Sequence, residues 1–274
     1  MKAYYVVKSI IAFKHSFLTE DLMKERIYTI PVNDAFNKEC DCPLCELEGI
    51  TERDLVGYYM GASMMESDVR MTTNEKGFCR DHLSAMYNLQ ENRLALGLIL
   101  HTHLDDVCKD INHKLDKSAS PSPAANAAGK IFGSGKDIRS GLIKTAERIE
   151  KRVSDCVLCD RLAYTMDRYL DVIFWQFFEE NDFRKKFGSV KGFCLPHTAA
   201  LLRGCAKYLT ASQAGTFAKA LAEIQNSSLE NLCKDIEWFT LKFDYRNNDK
   251  PWGNSKDAVP RTIRKLNGRP DLKQ

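Results

Sequence analysis

The chain has 274 residues, of which 44% are apolar and 28% charged, and its formal net charge is +3. This length and composition are ordinary for a globular protein that buries a core. The small net charge argues against binding to nucleic acid or to an acidic membrane by charge alone. The unusual feature is the presence of ten cysteines.

The N-terminal segment contains an apolar run from Tyr4 to Phe13, which Lys8 interrupts. This run is shorter than the roughly 20 apolar residues that span a bilayer, and no small-residue cleavage site follows it. We therefore expect a cytoplasmic protein without a membrane span, in whose reducing surroundings clustered cysteines bind metals more often than they form disulfides. Because Met23 opens a segment that reads like a natural start, we interpret residues 1–22 as an N-terminal extension.

The pattern of apolar residues predicts a mainly helical chain. Arg26 to Val32 is the one convincing strand candidate. Further along, Leu104, Cys108 and Ile111 follow the i, i+4, i+7 spacing of a buried helix face, and Leu158 to Phe178 is long, aromatic and free of glycine and proline. The predicted fold class is all-α with a minor N-terminal β element.

Four sequence blocks occur twice, in the same order and at nearly constant spacing. The first copy contains Cys42–Cys45, Glu66–Arg70, Gly77–His82 and Leu104–Ile111, and the second contains Cys156–Cys159, Glu180–Arg184, Gly192–His197 and Leu229–Ile236. Four matched blocks at such regular spacing indicate an internal duplication.

The duplication suggests a division of the chain. Residues 117–140 are rich in serine, proline, alanine and glycine, which predicts a flexible linker. We expect one helical module over residues 23–116 and a second over residues 141–243. Residues 244–274 then form a C-terminal segment with an Asp-Tyr-Arg…Pro-Trp-Gly motif and a basic tail, which we expect to be a solvated charged helix.

Each copy combines a Cys-x-x-Cys turn with a Gly-Phe-Cys-x-x-His motif. The first motif brings two sulfurs together, and the second places a sulfur and an imidazole on one face of a helix's first turn. Three thiolates and one imidazole suit structural zinc. We therefore expect one Zn²⁺ site within each copy, with the ligand sets Cys42, Cys45, Cys79, His82 and Cys156, Cys159, Cys194, His197.

A pair of [4Fe-4S] clusters is the alternative, because the duplication also matches Cys108 with Cys233. These two cysteines are possible additional ligands, although their place on an apolar helix stripe favours simple packing. Cys40 and Cys205 have no counterpart in the other copy, and we interpret them as incidental. His103, close to Cys108 in sequence, is interpreted as a surface or boundary residue.

The Cys-Pro-Leu-Cys turn, the two Gly-Phe-Cys-x-x-His motifs and the ending with Asp-Tyr-Arg…Lys-Pro-Trp-Gly resemble an uncharacterised bacterial domain-of-unknown-function family. Members of that family carry this duplicated pattern over nearly their full length. The resemblance covers approximately Met23 to Gly268. It implies a cytosolic bacterial protein and no particular activity, since the family has none assigned.

The leading hypothesis is a metal-stabilised helical scaffold that binds an unknown protein partner. No Ser–His–Asp order, phosphate-binding glycine loop or dinucleotide motif is present, so we predict no catalytic or cofactor-binding residues beyond the metal ligands. The alternative is an iron–sulfur or metal-handling redox protein that uses the same cysteines. Nucleic-acid binding is the least favoured hypothesis, and the sequence predicts no oligomeric state.

Overall fold

The structure, a computed structural model, describes residues 27–119 and 135–269, and no strand occurs within these ranges. The predicted helical class is confirmed. The strand predicted over Arg26 to Val32 is wrong for residues 27–32, which belong to helix α1 (residues 27–37). Val32, Ala35 and Phe36 are buried at helical spacing, so packing against the core overrides the β propensity of this segment. Arg26 and the predicted extension lie outside the described residues.

The two copies fold into the same succession of four helices. The first contains α2 (Pro43–Met60), α3 (Ser67–Lys76), α4 (Arg80–Asn88) and α5 (Arg93–Ala119), with a 3₁₀ turn at Ala62–Met65. After α6 (Gly135–Ser154), the second contains α7 (Val157–Glu179), α8 (Asn181–Ser189), α9 (Leu195–Tyr208) and α10 (Ala211–Leu241). The 3₁₀ turns Tyr245–Asn247 and Gly253–Ser255 precede α11 (Ala258–Asn267). None of the helices described here is long and apolar enough to cross a membrane.

The helices belong to two compact units, and each unit takes residues from both copies. Among the described residues, unit 1 consists of residues 27–50 and 164–269, and unit 2 of residues 51–119 and 135–163. The unit boundaries fall inside α2 and α7, whereas each predicted module contained one complete copy. The predicted linker, residues 117–140, is helical at both described ends, as the last turn of α5 and the first of α6.

Unit 1 has an aromatic core. Phe217 on α10 lies at its centre, with ring centroids 4.8 Å from those of Phe174, Phe177 and Phe187. Phe193, from the second Gly-Phe-Cys motif, packs on Phe187 with a centroid distance of 5.5 Å. This motif is therefore held by the core through its phenylalanine.

Unit 2 has a smaller core with more methionine. Phe78, from the first Gly-Phe-Cys motif, packs edge-on against Tyr59 of α2 at a centroid distance of 5.3 Å. Met86 and Ile99 are fully buried beside them in the same cluster, together with Leu158 of α7. The phenylalanine thus has the same role in both units: it packs into the core of its unit and so anchors the Cys-x-x-His segment there.

Candidate metal centres

The first group of metal-binding side chains lies in unit 1 and contains Cys42, Cys45, Cys194 and His197. The Sγ atom of Cys194 lies 4.0 Å from that of Cys42 and 3.6 Å from that of Cys45. The Nδ1 atom of His197 lies 3.1 to 3.6 Å from the three sulfurs. All four residues are buried. We call this the unit 1 group.

The second group lies in unit 2 and contains Cys79, His82, Cys156 and Cys159. Here the Nδ1 atom of His82 lies 3.2 to 3.4 Å from the three sulfurs, and the Sγ atoms of Cys79 and Cys159 are 3.8 Å apart. His82 and Cys156 are buried, but Cys159 is exposed. We call this the unit 2 group.

The structure brings together all eight predicted ligands but divides them differently from the expected sets. In unit 1, the Cys-x-x-Cys turn of the first copy meets the Cys-x-x-His motif of the second copy. In unit 2, the Cys-x-x-Cys turn of the second copy meets the Cys-x-x-His motif of the first. The expectation that Cys42 and Cys45 share a site with Cys79 and His82 is therefore wrong. The physical reason is that α2 and α7 each begin in one compact unit and end in the other, so every copy contributes to both units.

All the ligand segments lie at the beginnings of helices. Cys79 and Cys194 are the N-cap residues of α4 and α9, and each histidine follows one turn later. Cys42 and Cys156 directly precede α2 and α7. Two helix N-termini therefore converge on each group, and their partial positive charge stabilises thiolates.

Two glycines allow the chain to reach these positions. Gly77 and Gly192 both have positive φ angles, 68° and 132°. A Cβ atom on Gly77 would come within 2.5 Å of the His103 ring, and one on Gly192 within 2.7 Å of Lys265 Nζ. Glycine is therefore required in both motifs for conformation and for close approach. His103 also lies 2.8 Å from Asn74 O through its Nδ1 atom, so it packs over the turn, as expected for a boundary residue.

The protonation of the thiols follows from their mutual contacts. Hydrogen bonds from Cys42 and Cys45 lower the pKa of Cys194 to about 3, while the same contact raises the pKa of Cys45. In unit 2, burial raises the pKa of Cys156, but hydrogen bonds from His82 and from the backbone outweigh it and lower this pKa to about 6. Each group thus favours a thiolate, the form that binds metal.

A carboxylate lies behind each histidine. Glu52 Oε1 is 3.3 Å from His82 Nε2, and Glu48 Oε2 is 3.7 Å from His197 Nε2. With Cys156 and Glu52 as its partners, the pKa of His82 is raised to about 10. A carboxylate on the far nitrogen orients the ring and increases its basicity as a ligand. It also leaves Nδ1 facing the sulfurs in both groups.

Two residues near the unit 1 group have roles that we did not predict from the sequence. Gln225 of α10 accepts a hydrogen bond from Phe193 N (3.1 Å) and donates one to Phe193 O (2.9 Å). Lys265 of α11, which we expected to be solvated, is only 7% exposed and donates to Ser228 Oγ at 2.7 Å. The basic residues around Lys265 did not indicate that it is buried, although the apolar residues on one face of α11 could have indicated that this helix packs against the core.

The remaining cysteines take no part in either group. Cys108 and Cys233 lie outside both groups, and they are exposed, so they are not the buried core residues that their spacing favoured. Cys205 is buried and Cys40 partly buried, both outside the groups. No described residue supplies a fourth thiolate to either histidine-containing set.

The geometry fits a single tetrahedral ion. For zinc, Zn–S and Zn–N bond lengths of about 2.3 and 2.0 Å imply sulfur–sulfur distances of about 3.8 Å and sulfur–nitrogen distances of about 3.5 Å. The sulfur–nitrogen distances of 3.1 to 3.6 Å, and the sulfur–sulfur distances of 3.6 to 4.0 Å that join the two motifs of each group, lie around these values. A four-iron cluster would hold its ligands farther apart than one ion does. Both groups are thus suited to holding one metal ion each.

The fold and the two groups define the class of protein: a helical, cysteine-rich protein with two Cys₃His groups that could each hold a metal ion. A family model covers residues 23–273, and the chain belongs to this family, DUF6062, described as a family of unknown function. The match begins where the predicted extension ends. No curated protein and no solved structure matches the chain.

Proposed function

We propose that this protein is a metal-stabilised helical scaffold in which each compact unit binds one zinc ion. The observation that carries the proposal is the pair of Cys₃His groups, whose ligand atoms all lie within 4.8 Å of one another. Such a ligand set is typical of structural zinc. Because the unfolded chain offers no preformed site, zinc binding would contribute directly to the free energy of folding.

A structural role is supported by the number of ligands. Each group supplies four protein side chains, whereas a catalytic zinc site usually has three and keeps one position for water or substrate. This supports a structural rather than a catalytic role for the metal, and we propose that the scaffold binds a protein partner. The iron–sulfur alternative loses support, because Cys108 and Cys233 lie outside both groups.

Elemental analysis tests the proposal. The protein would be purified without oxygen and without a metal-affinity tag, and its metals measured by mass spectrometry beside an absorption spectrum. We expect two zinc ions per chain and no visible absorption. Iron with acid-labile sulfide would overturn the proposal, and so would a protein whose unfolding is unchanged by complete removal of metal.

A matched pair of variants connects the metal to its ligands. Cys194 and Cys205 are both buried cysteines, one at the start of α9 and one within it, but only Cys194 belongs to a group. We expect C194A to retain one zinc ion and C205A to retain two. Equal zinc content in the two variants would contradict the assignment of Cys194 as a ligand.

A further inference from the structure

The two groups differ in how much of them solvent can reach. In the unit 1 group, Cys45 is the most exposed ligand residue, at 8%, and Cys194 is exposed by 2%. In the unit 2 group, Cys79 is partly exposed and Cys159 is exposed. Among the proposed ligands, solvent therefore reaches a cysteine residue more readily in unit 2 than in unit 1. The cleft of about 1570 Å³ in unit 1 is lined by Cys42, Cys45 and Cys194, but none of the three is more than 8% exposed.

The charged side chains around the two groups also differ. A divalent ion with three thiolates and a neutral imidazole has a net charge of −1, and burying an uncompensated charge is costly. In unit 1, Lys265 lies beside the motif: an added Cβ on Gly192, two residues before Cys194, would be 2.7 Å from its Nζ atom. Burial lowers the pKa of Lys265, and the electrostatic attraction of the thiolates of Cys42 and Cys194, with that of Asp41, opposes this effect and favours the ammonium form.

The hydrogen-bond partners of Lys265 leave its charge uncompensated by carboxylates. Its Nζ atom contacts Ser228 Oγ at 2.7 Å and Gln225 Oε1 at 3.3 Å, and both groups are neutral. Within residues 27–118 and 138–269, no carboxylate lies at ion-pair distance from it. A buried ammonium whose hydrogen-bond partners are neutral is suited to balancing the charge of the metal–thiolate centre.

Near the unit 2 motif, the largely buried cation Arg152 donates to Glu75 O, but the carboxylates of Asp106 and Asp110 already pair with it. In unit 1, the side chains of Ser228 and Lys265 lie directly over Gly192. In unit 2, the ring of His103 lies over the equivalent glycine, Gly77. The basic residues that flank the motif in sequence are Lys76, which is paired with Asp160, and Arg80, which is exposed. Lys76, Arg80 and Arg152 are thus paired with carboxylates or exposed, unlike Lys265.

We propose that Lys265 makes the unit 1 centre a charge-balanced, inert metal site, and that the unit 2 centre is a reactive one whose thiolates, Cys159 first, are modified by electrophiles with release of the metal. This inference rests on the proposed function, because it assumes that both groups bind zinc. It adds to the scaffold a site of modification: electrophiles of low molecular weight react at unit 2 while unit 1 stays folded around its ion.

N-ethylmaleimide is a suitable probe of this difference. A thiolate sulfur uses an electron pair to form a C–S bond to one alkene carbon, the other alkene carbon takes a proton from water, and the metal–sulfur bond is lost. The zinc-loaded protein would carry C108S and C233S, which remove two exposed thiols outside the groups. Zinc release would be followed with a chromophoric chelator, and the alkylated cysteines located by peptide mass spectrometry.

We expect the first zinc ion to be released as Cys159 and Cys79 are alkylated. The ion of the unit 1 group should be released at least about tenfold more slowly, because residues outside the ligand set affect metal binding by factors of this size. In K265M the second release should accelerate towards the first. K242M is the matched control, since Lys242 is also buried in unit 1 but donates only to backbone carbonyls of the loop after α10.

Two outcomes would overturn the inference while leaving the proposed function intact. One is simultaneous release of both ions, or earlier release from unit 1; the other is a K265M protein whose release rates equal those of K242M. If K265M folds poorly, cadmium-113 NMR of the cadmium-loaded protein replaces it. Two resonances are expected, of which adding N-ethylmaleimide removes one first, and loss of both together contradicts the inference. A protein with no metal would instead refute the proposed function.

Discussion

The Sγ atom of Cys45 lies 3.6 Å from that of Cys194, although 149 residues separate them along the chain. An ion bound by both would tie the start of α2 to the start of α9. In unit 2, Cys79 and Cys159 lie 3.8 Å apart across 80 residues. Because the entropic cost of closing a loop grows only with the logarithm of its length, such distant contacts cost little more than near ones. Each ion would therefore cross-link the two copies.

The cross-linked arrangement makes a prediction about double variants. C42S and H197A should each remove one zinc ion, and the double variant C42S/H197A should still retain the other, because both residues belong to the unit 1 group. The double variant C42S/H82A should lose both ions, because His82 belongs to the unit 2 group. Native mass spectrometry of the purified proteins would count the ions.

The opposite pattern would show that each copy binds its own ion. In that case C42S/H82A would retain one zinc ion and C42S/H197A none. The single variants serve as controls for folding, since each must retain one ion and the helical circular-dichroism signal before the doubles are compared.

The contact between Gln225 and Phe193 predicts a large effect of a substitution that touches no ligand. In Q225L, the N–H and C=O groups of Phe193 lose their partners while still buried, which costs about 2 kcal/mol or more. We expect lower unfolding free energy and faster zinc loss from the unit 1 group, measured by urea denaturation and chelator competition. N226L, at the exposed neighbouring position, is the control, and equal stabilities of the two variants would contradict this role.

Two helical glycines should respond to alanine in opposite directions. A Cβ on Gly204 of α9 would come 2.6 Å from Cε2 of Phe174, so G204A overpacks the unit 1 core and should destabilise it by about 1–3 kcal/mol. At Gly215 of α10 a Cβ would meet nothing within 4 Å, and G215A should stabilise the protein by about 0.5–1 kcal/mol. Thermal unfolding measures both, and a change of the same sign in the two would refute the packing described here.

Asp110 of α5 connects two helices of unit 2 by ion pairs. Its carboxylate is paired with Lys114 and lies 2.7 Å from Arg148 Nε of α6. The contact with Lys114 and that with Arg148 outweigh the effect of burial and lower the pKa of Asp110 to about 2. D110N should therefore lower the unfolding free energy by about 1 kcal/mol at pH 7, after allowance for the partial exposure of the pairs.

The pH dependence of this effect has a definite sign. A carboxyl group with a lowered pKa stabilises the folded state above its unfolded pKa of about 3.9, and loses this contribution as the pH falls towards its folded pKa. The difference between wild type and D110N should thus be the same at pH 8 and at pH 6, measured by urea denaturation with saturating zinc. A difference that shrinks over this range would contradict the assignment. D105N, which removes an exposed pair with Lys109, should cause no measurable change.

Several features could be read from the sequence because they depend on local spacing. The i, i+3 positions of Cys194 and His197 place both side chains on the first turn of one helix wherever that helix packs, so the ligand residues could be recognised without the fold. The duplication likewise needed only matched blocks. The N-terminal strand failed because Val32, Ala35 and Phe36 of α1 are buried at helical spacing, in contact with partners far along the chain.

The sequence by itself determined that the protein is helical, that it is duplicated, and that eight particular cysteines and histidines are its candidate metal ligands. Only the tertiary structure decided which turn meets which motif, because that choice depends on where the long helices α2 and α7 pack and not on any spacing within a copy. The same holds for Lys265. Its burial beside the unit 1 group follows from the packing of α11 against α10, and a charged residue in a basic stretch carries no mark of such a position.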